Sequence, residues 1–264
     1  MCHPQCSSLK AATLNDPVCA ANGACVYTAS YGDASYSMGY LSQDLLTLTP
    51  TQTLPQFTYG CGEDNEGLFG RAAGIIGLAR DKLSMLGQLS TKYGYAFSYC
   101  LPTATSISSG GGFLSIGNIS PSPYKFTPMI RNPQNPSLYF LRLAAITVGG
   151  RPLGVAPAGY QEAFVKLMSK RYAQAPGYSI LDTCFKGSLK SLSATPGIQM
   201  IFQGGADLSL GAPNILLEAD KGVTCLAFAS SNQIAIIGNH QQQTYSIAYD
   251  IPASRIGFAP RGCR

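Results

Sequence analysis

Residues 57–102, FTYGCGEDNEGLFGRAAGIIGLARDKLSMLGQLSTKYGYAFSYCLP, carry the reading of the fold. Within them AAGIIGLARD has the apolar run and glycine stop of a short buried strand ending at Gly77. Leu83, Leu86 and Leu89 then recur every third residue, which predicts a short helix after Arg80. Upstream, CVYTASYGDASYSMGYLSQDLLTL places strand-forming residues on both sides of a Gly32-Asp33 turn, the pattern of a hairpin. Before that hairpin, Cys2, Cys6, Cys19 and Cys25 crowd into a loop-rich segment with Pro4, Pro17 and Gly23.

Downstream, TATSISSGGGFLSIGNISPSP is rich in Ser, Gly and Pro and sets the expected boundary near Ser122, between halves 1–122 and 123–264. The second half offers strands around Tyr139–Val148, a tight Gly149-Gly150 turn and a helix. On that helix Tyr160, Phe164, Leu167 and Met168 fall at i, i+4, i+7 and i+8. Further strands are expected at Ile198–Phe202, Val223–Ala229, Ile234–Ile237, Thr244–Tyr249 and Arg255–Ala259. Ile75-Ile76-Gly77 and Ile236-Ile237-Gly238 form a weak internal repeat, one per half, so two related lobes are expected.

Composition agrees with a mostly β chain. The 264 residues are 45% hydrophobic and only 12% charged, with 29 Gly, 17 Pro, 15 Tyr and 11 Phe. Such a chain can bury a sizeable core and is not disordered. No apolar run is long enough for a membrane-spanning helix. The net charge of +5 is scattered, without the basic aromatic-laced runs of a nucleic-acid binder. Two histidines, His3 and His240, cannot build a histidine-rich metal centre, and no cofactor motif is present. Nine cysteines are both many and odd, which points to an oxidising compartment and one missing partner. The opening MCHPQCSSLK has no apolar core for a signal peptide, so the expectation is a piece of a longer secreted precursor.

The 57–102 stretch resembles the central signature of the plant nepenthesin-type branch of pepsin-like aspartic proteases. So do KFTPMIRNPQNPSLYFLRLAAITVGG, SILDTCF and AIIGNHQQQTYSIAYDIPASRIGFAPRGC. The resemblance runs over nearly the whole chain and implies a mostly β, bilobal pepsin-like fold with a few short helices. It also implies peptide-bond hydrolysis of peptide or protein substrates by an aspartate from each lobe, each in an Asp-Thr-Gly or Asp-Ser-Gly turn. Two such carboxylates share a proton, so one activates water while the other acts as acid.

Neither turn occurs in the 264 residues. Asp182-Thr183 is followed by Cys184 and matches the family's SILDTCF strand. RPLGVAPAGYQEAF runs on without the family's second catalytic turn, as if shortened near 156–159. The first turn would precede Cys2. Asp33 fits the family's hairpin, while Asp64, Asp81 and Asp250 fall in segments with a surface or loop role there. No catalytic residue is therefore assigned, and the chain is expected to be inactive and incomplete in both lobes. Each lobe is expected to have a central gap, with unpaired sheet edges and exposed apolar surface. Tyr31, Gly32 and Asp33 are the expected substrate-binding residues, through the family's hairpin.

By the same resemblance the disulfides are Cys2–Cys25, Cys6–Cys19, Cys184–Cys225 and Cys100–Cys263, the last tying the lobes together, with Cys61 left free. Two other functions fit the sequence: a non-catalytic binder of protein targets, as in plant xylanase inhibitors of this fold, and a gene product without its own function. Secretion is the family's expectation.

Overall fold

The computed structural model describes residues 4–103, 111–153, 157–192, 194–230 and 234–263. By its internal contacts the chain divides into two units. The first is Met1–Tyr95 with Arg131–Phe140, and the second is Ala96–Ile130 with Leu141–Arg264.

The first unit is built on one antiparallel sheet in the order β1 (Val18–Cys19), β2 (Cys25–Ser30), β3 (Tyr36–Thr49), β4 (Gln52–Glu66). β2 and β3 are the arms of the expected hairpin, in register from Val26↔Tyr40 to Ser30↔Tyr36. A short helix α1 (Leu9–Thr13) packs Leu9 against Tyr27 and the Cys6–Cys25 bridge, forming a small core. Helix α2 (Met85–Tyr93) starts at Ser84, whose hydroxyl accepts the Gly87 N–H at 3.0 Å, as an N-cap does. Leu86 and Leu89 are buried on its inner face, whereas Leu83 lies just ahead of the helix. The Gln88 side chain docks α2 on the rim of β4: its Oε1 accepts the Thr58 N–H and its Nε2 donates to the Thr58 carbonyl.

In the second unit, chain order runs β5 (Ala96–Cys100), β6 (Phe113–Ile116), β7 (Lys125–Ile130), β8 (Phe140–Leu141), β9 (Leu143–Val148), β10 (Arg151–Pro152), then helix α3 (Pro157–Met168). There follow β11 (Gln174–Ala175), β12 (Cys184–Lys186), β13 (Ile198–Phe202), β14 (Asp207–Leu210), helix α4 (Ala212–Ile215), β15 (Leu216–Asp220) and β16 (Val223–Leu226). Helix α5 (Asn239–Gln242), β17 (Ser246–Asp250) and β18 (Arg255–Ala259) complete it. Three antiparallel sheets result, ordered β6-β5-β17-β18-β7-β8, β10-β9-β13-β14 and β11-β12-β16-β15. The core is made by alternate residues of these strands, such as Ile198 and Phe202 on β13 and Leu208 and Leu210 on β14, and by Phe164 and Met168 of α3, which is packed on β9. The fold is thus mostly β, with short helices.

The division differs from the expected Ser122. β5 and β6 follow Tyr95, but β5 pairs with β17 from Ala96↔Asp250 to Cys100↔Ser246, so both strands belong with the C-terminal strands. For the same reason the Cys100–Cys263 bridge lies within the second unit and does not tie the two units together. Residues 104–110 of the Ser/Gly/Pro-rich stretch, and 154–156 in the shortened stretch, lie outside the described residues.

Two expected strands are corrected. Neither Ile75–Gly77 nor Ile234–Ile237 is a strand, and neither is buried: Ile75 and Ile76 are each 61% exposed and Ile236 is 82% exposed. A buried strand needs a neighbour on each side, and among the described residues these segments pair with none.

The nested disulfides are corrected as well. Cys6 bonds Cys25, in place of the expected Cys6–Cys19 and Cys2–Cys25 bridges. Cys6 and Cys25 are both buried in the core beside Leu9 and Tyr27, whereas Cys19 sits on the exposed strand β1 in register with Cys25. Cys19 is itself disulfide-bonded, and Cys2 lies outside the described residues. Cys184–Cys225 joins directly opposed residues of β12 and β16.

Candidate functional site

A cleft of about 430 Å³ opens in the first unit, a size in the range of small-ligand pockets. Its wall follows from strand alternation. Tyr27, Ala29 and Tyr31 fall at i, i+2 and i+4 along β2 and its continuation, so all three face the cleft. Opposite them Thr58, Gly60 and Gly62 of β4 line the same side. Gly60 is required there: a Cβ on it would sit 2.6 Å from the Tyr27 ring. The Tyr27 hydroxyl meets Ser37 Oγ at 2.8 Å, and Ser37 donates to Asn65 Oδ1 at 2.7 Å, a polar relay across three strands.

The hairpin tip holds the three residues expected from the sequence. Tyr31 lines the cleft, 40% exposed, with its ring edge-on to Phe69 at 5.7 Å. Partial burial, then the nearby Tyr27, raise its phenol above the ordinary value. Gly32 and Asp33 are exposed at the turn and do not line the cleft. Asp33 Oδ1 accepts the Ser35 N–H at 3.0 Å, and this hydrogen bond lowers its carboxyl below the ordinary range. Ser35 in turn takes the Leu68 N–H, and Gly67, at φ +121°, leaves room for it where a Cβ would lie 2.3 Å from the Ser35 hydroxyl. The hairpin tip and the Phe69 loop are therefore latched together.

The floor is the start of α2 and the extended segment before it. Met85 N–H donates to the Gly77 carbonyl, Arg80 N–H to Ser137, and Tyr139 hydroxyl to the Leu78 carbonyl, fixing residues 77–80. Asp81 follows and is 8% exposed. Its Oδ1 accepts the N–H groups of Leu83 and Ser84 at 2.9 and 2.8 Å. Burial pushes its carboxyl above the ordinary range, and the two backbone donors only partly offset this. Sequence reasoning placed Asp81 in a surface or loop segment, and it also passed over Tyr27, Ser37, Asn65 and Phe69. The period-2 run from Tyr27 to Tyr31 was a signal that could have found the wall.

A raised carboxyl gives a defined pH dependence. The folded state holds the Asp81 proton to a higher pH than the unfolded chain does. Its penalty is therefore absent below the unfolded value, grows as pH rises toward the folded value, and is constant beyond. Asp81→Asn is expected to be more stable than the wild type at neutral pH, with the gap closing at acid pH. Paired thermal melts at several pH values check this; a pH-independent difference would contradict it.

Several other acidic residues are committed elsewhere. Asp64 and Glu66 accept from the Tyr36 hydroxyl, and Asp250 pairs with Arg255 at 2.9 Å. Asp182 accepts from Gln161 of α3 at 2.6 Å, beside the Cys184 strand. In the second unit Gln242 donates to the Ile237 carbonyl and accepts from the Tyr99 hydroxyl, and His240 meets the Leu216 carbonyl at 2.9 Å. No cluster of three or more His, Cys, Asp or Glu residues suited to a metal ion occurs among the described residues. No helix there is long and apolar enough to cross a membrane.

Cys61, on β4 opposite Tyr40, is a free, exposed thiol. A thiol reagent in native buffer is expected to label one equivalent, and Cys61→Ser none. Labelling that persists in Cys61→Ser would contradict this.

Known proteins share this architecture. Residues 1–118 match the family model for the N-terminal domain of xylanase inhibitors, and 158–260 match the corresponding C-terminal model. An aspartyl protease family protein of Arabidopsis thaliana is 39% identical over 98% of this chain and 59% of its own length. Aspartic proteinase nepenthesin-2 of Nepenthes gracilis is 34% identical over 98% of this chain and 64% of its own length. The chain thus spans less than two thirds of either relative. In structure it resembles conglutin gamma, a basic 7S globulin of lupine seeds, with TM-score 0.75 and 22% identity over 97% of this chain and 80% of that one. This chain belongs to the plant pepsin-like aspartic protease family.

Proposed function

We propose that this chain binds extended peptide or protein segments in the first-unit cleft and does not hydrolyse them. One observation carries the reading: the cleft is lined by a single carboxylate, Asp81, tied to the backbone just ahead of α2, and the 264 residues contain no Asp-Thr-Gly or Asp-Ser-Gly turn. Proton sharing between two acids needs a second carboxylate in contact with the first. The latched hairpin bearing Tyr31, the adjoining strand wall and the exposed Ile75-Ile76 segment supply apolar contacts and backbone groups for an extended ligand. Folding in an oxidising compartment, such as the secretory route, is supported by the Cys6–Cys25, Cys100–Cys263 and Cys184–Cys225 bridges.

The test is a fluorogenic peptide assay from pH 3 to 6, with and without a statine-type inhibitor. No inhibitor-sensitive turnover is expected. Turnover abolished by the inhibitor would overturn the reading. The match to two xylanase-inhibitor family models supports a second reading, a non-catalytic binder of glycoside hydrolases through surface loops. A pull-down against purified xylanases, with the cleft blocked by peptide, separates the two.

A further inference from the structure

We propose that Asp81 makes the first-unit cleft selective for extended peptides carrying a cationic side chain, lysine or arginine. This rests on the peptide-binding reading above and names the substrate class of the same site.

The cleft is poor in charge. Its lining contains one ionisable acid, Asp81, and no Lys, Arg or His. The other titratable groups that line it are the phenols of Tyr27, Tyr31 and Tyr59. The two neighbouring cations in sequence do not line the cleft. Arg80 donates from Nη2 to the Leu138 carbonyl and lies over the Tyr139 ring at 5.5 Å. Lys82 lines a separate depression with Gln5, Pro55 and Phe57. Tyr95, whose phenol is raised by burial and then by Asp81, brings no positive charge.

Asp81 therefore lacks a counter-charge. Its Oδ1 is satisfied by two backbone donors, while Oδ2 makes no hydrogen bond among the described residues. A nearly buried carboxylate in that condition loses hydration without regaining it, which is the physical reason its proton is held more tightly. A ligand cation seated beside it would supply the missing charge. The α2 N-terminus offsets part of the charge, but its last-turn cation, Lys92, is at the far end of the helix.

The test uses the full chain and end-blocked hexapeptides on an Ala/Leu frame, identical but for Lys, norleucine or Glu scanned through the six positions. Affinities are read by calorimetry at pH 7. At one position or more, Lys is expected to bind on the order of tenfold tighter than norleucine, the effect of one partly desolvated ion pair, and Glu weaker than either. The preference is expected to shrink as pH falls into the range where Asp81 is protonated. Asp81→Asn, which keeps the Oδ1 acceptor, is expected to bind the Lys and norleucine peptides within twofold of each other at every position. Lys and norleucine within twofold at every position would overturn the proposal, as would an Asp81→Asn variant that keeps the preference. Failure of every peptide to bind would instead sink the peptide-binding reading, and this proposal with it. Should the variant not fold, the wild-type Lys-to-norleucine ratio decides alone.

Discussion

Replacing both Cys100 and Cys263 by Ala is expected to destabilise the second unit by about 5 kcal/mol, the loop-closure entropy of a bridge spanning so long a segment. The two residues are 163 apart in sequence, and their Cα atoms lie 5.3 Å apart. Cys100 ends β5, where it stands opposite Ser246 of β17 and Phe113 of β6, one strand in from the edge of the six-stranded sheet. The bridge holds the C-terminal residues against that sheet, next to the Gly262 N–H donating to the Thr244 carbonyl. For a unit of this size the loss corresponds to a melting temperature lower by roughly 10–20 °C. Thermal melts followed by circular dichroism suit a chain without Trp. A fall of less than about 3 °C, far under that scale, would show that strand pairing alone fixes the C-terminus.

The second large effect is expected in the core beneath α3. Phe185 is 0% exposed, and its ring meets Phe164 edge-on at 6.3 Å. It follows Cys184 on β12, so the Cys184–Cys225 bridge prevents the strand from collapsing into a cavity left there. Phe185→Ala is expected to cost about 3–5 kcal/mol, and Phe185→Leu less than about 1.5 kcal/mol. Urea titrations of both variants check the pair. Equal losses would mean that the site is loosely packed and that volume does not matter.

Where structure is set by local pattern, it was legible. β13 and β18 occupy the expected residues, β13 with the alternating burial of a strand and β18 as a continuous buried run, and α3 forms where Phe164 and Met168 recur at helical spacing. The Gly32-Asp33 hairpin was legible from its turn chemistry. What depends on distant partners was not. Nothing within Ala96–Ile116 announces that β5 will pair with a strand some 150 residues later, so the boundary was set too far downstream. Ile75-Ile76 and Ile234–Ile237 have the composition of buried strands, yet composition cannot supply the neighbours that would bury them.

The cysteines show the same limit at short range. Cys6, Cys19 and Cys25 lie so close in sequence that spacing permits either partner for Cys25, and burial beside Leu9 and Tyr27 selects Cys6. In the cleft, Tyr31 was identified through resemblance. Asp81 was set aside because its segment has a surface or loop role in the family that the sequence resembles. Only the fold keeps both cations out of the cleft lining and leaves the acid in it.

The central claim is that the first-unit cleft holds an extended peptide without cutting it. Amide hydrogen exchange of the full chain, with and without a saturating lysine-containing hexapeptide, tests this most directly. The account predicts slowed exchange at the hairpin tip, residues 31–37, at Gly60–Gly62 and along 74–77, with the peptide recovered at its intact mass. Unchanged exchange at all three segments, or recovery of peptide fragments, would contradict it.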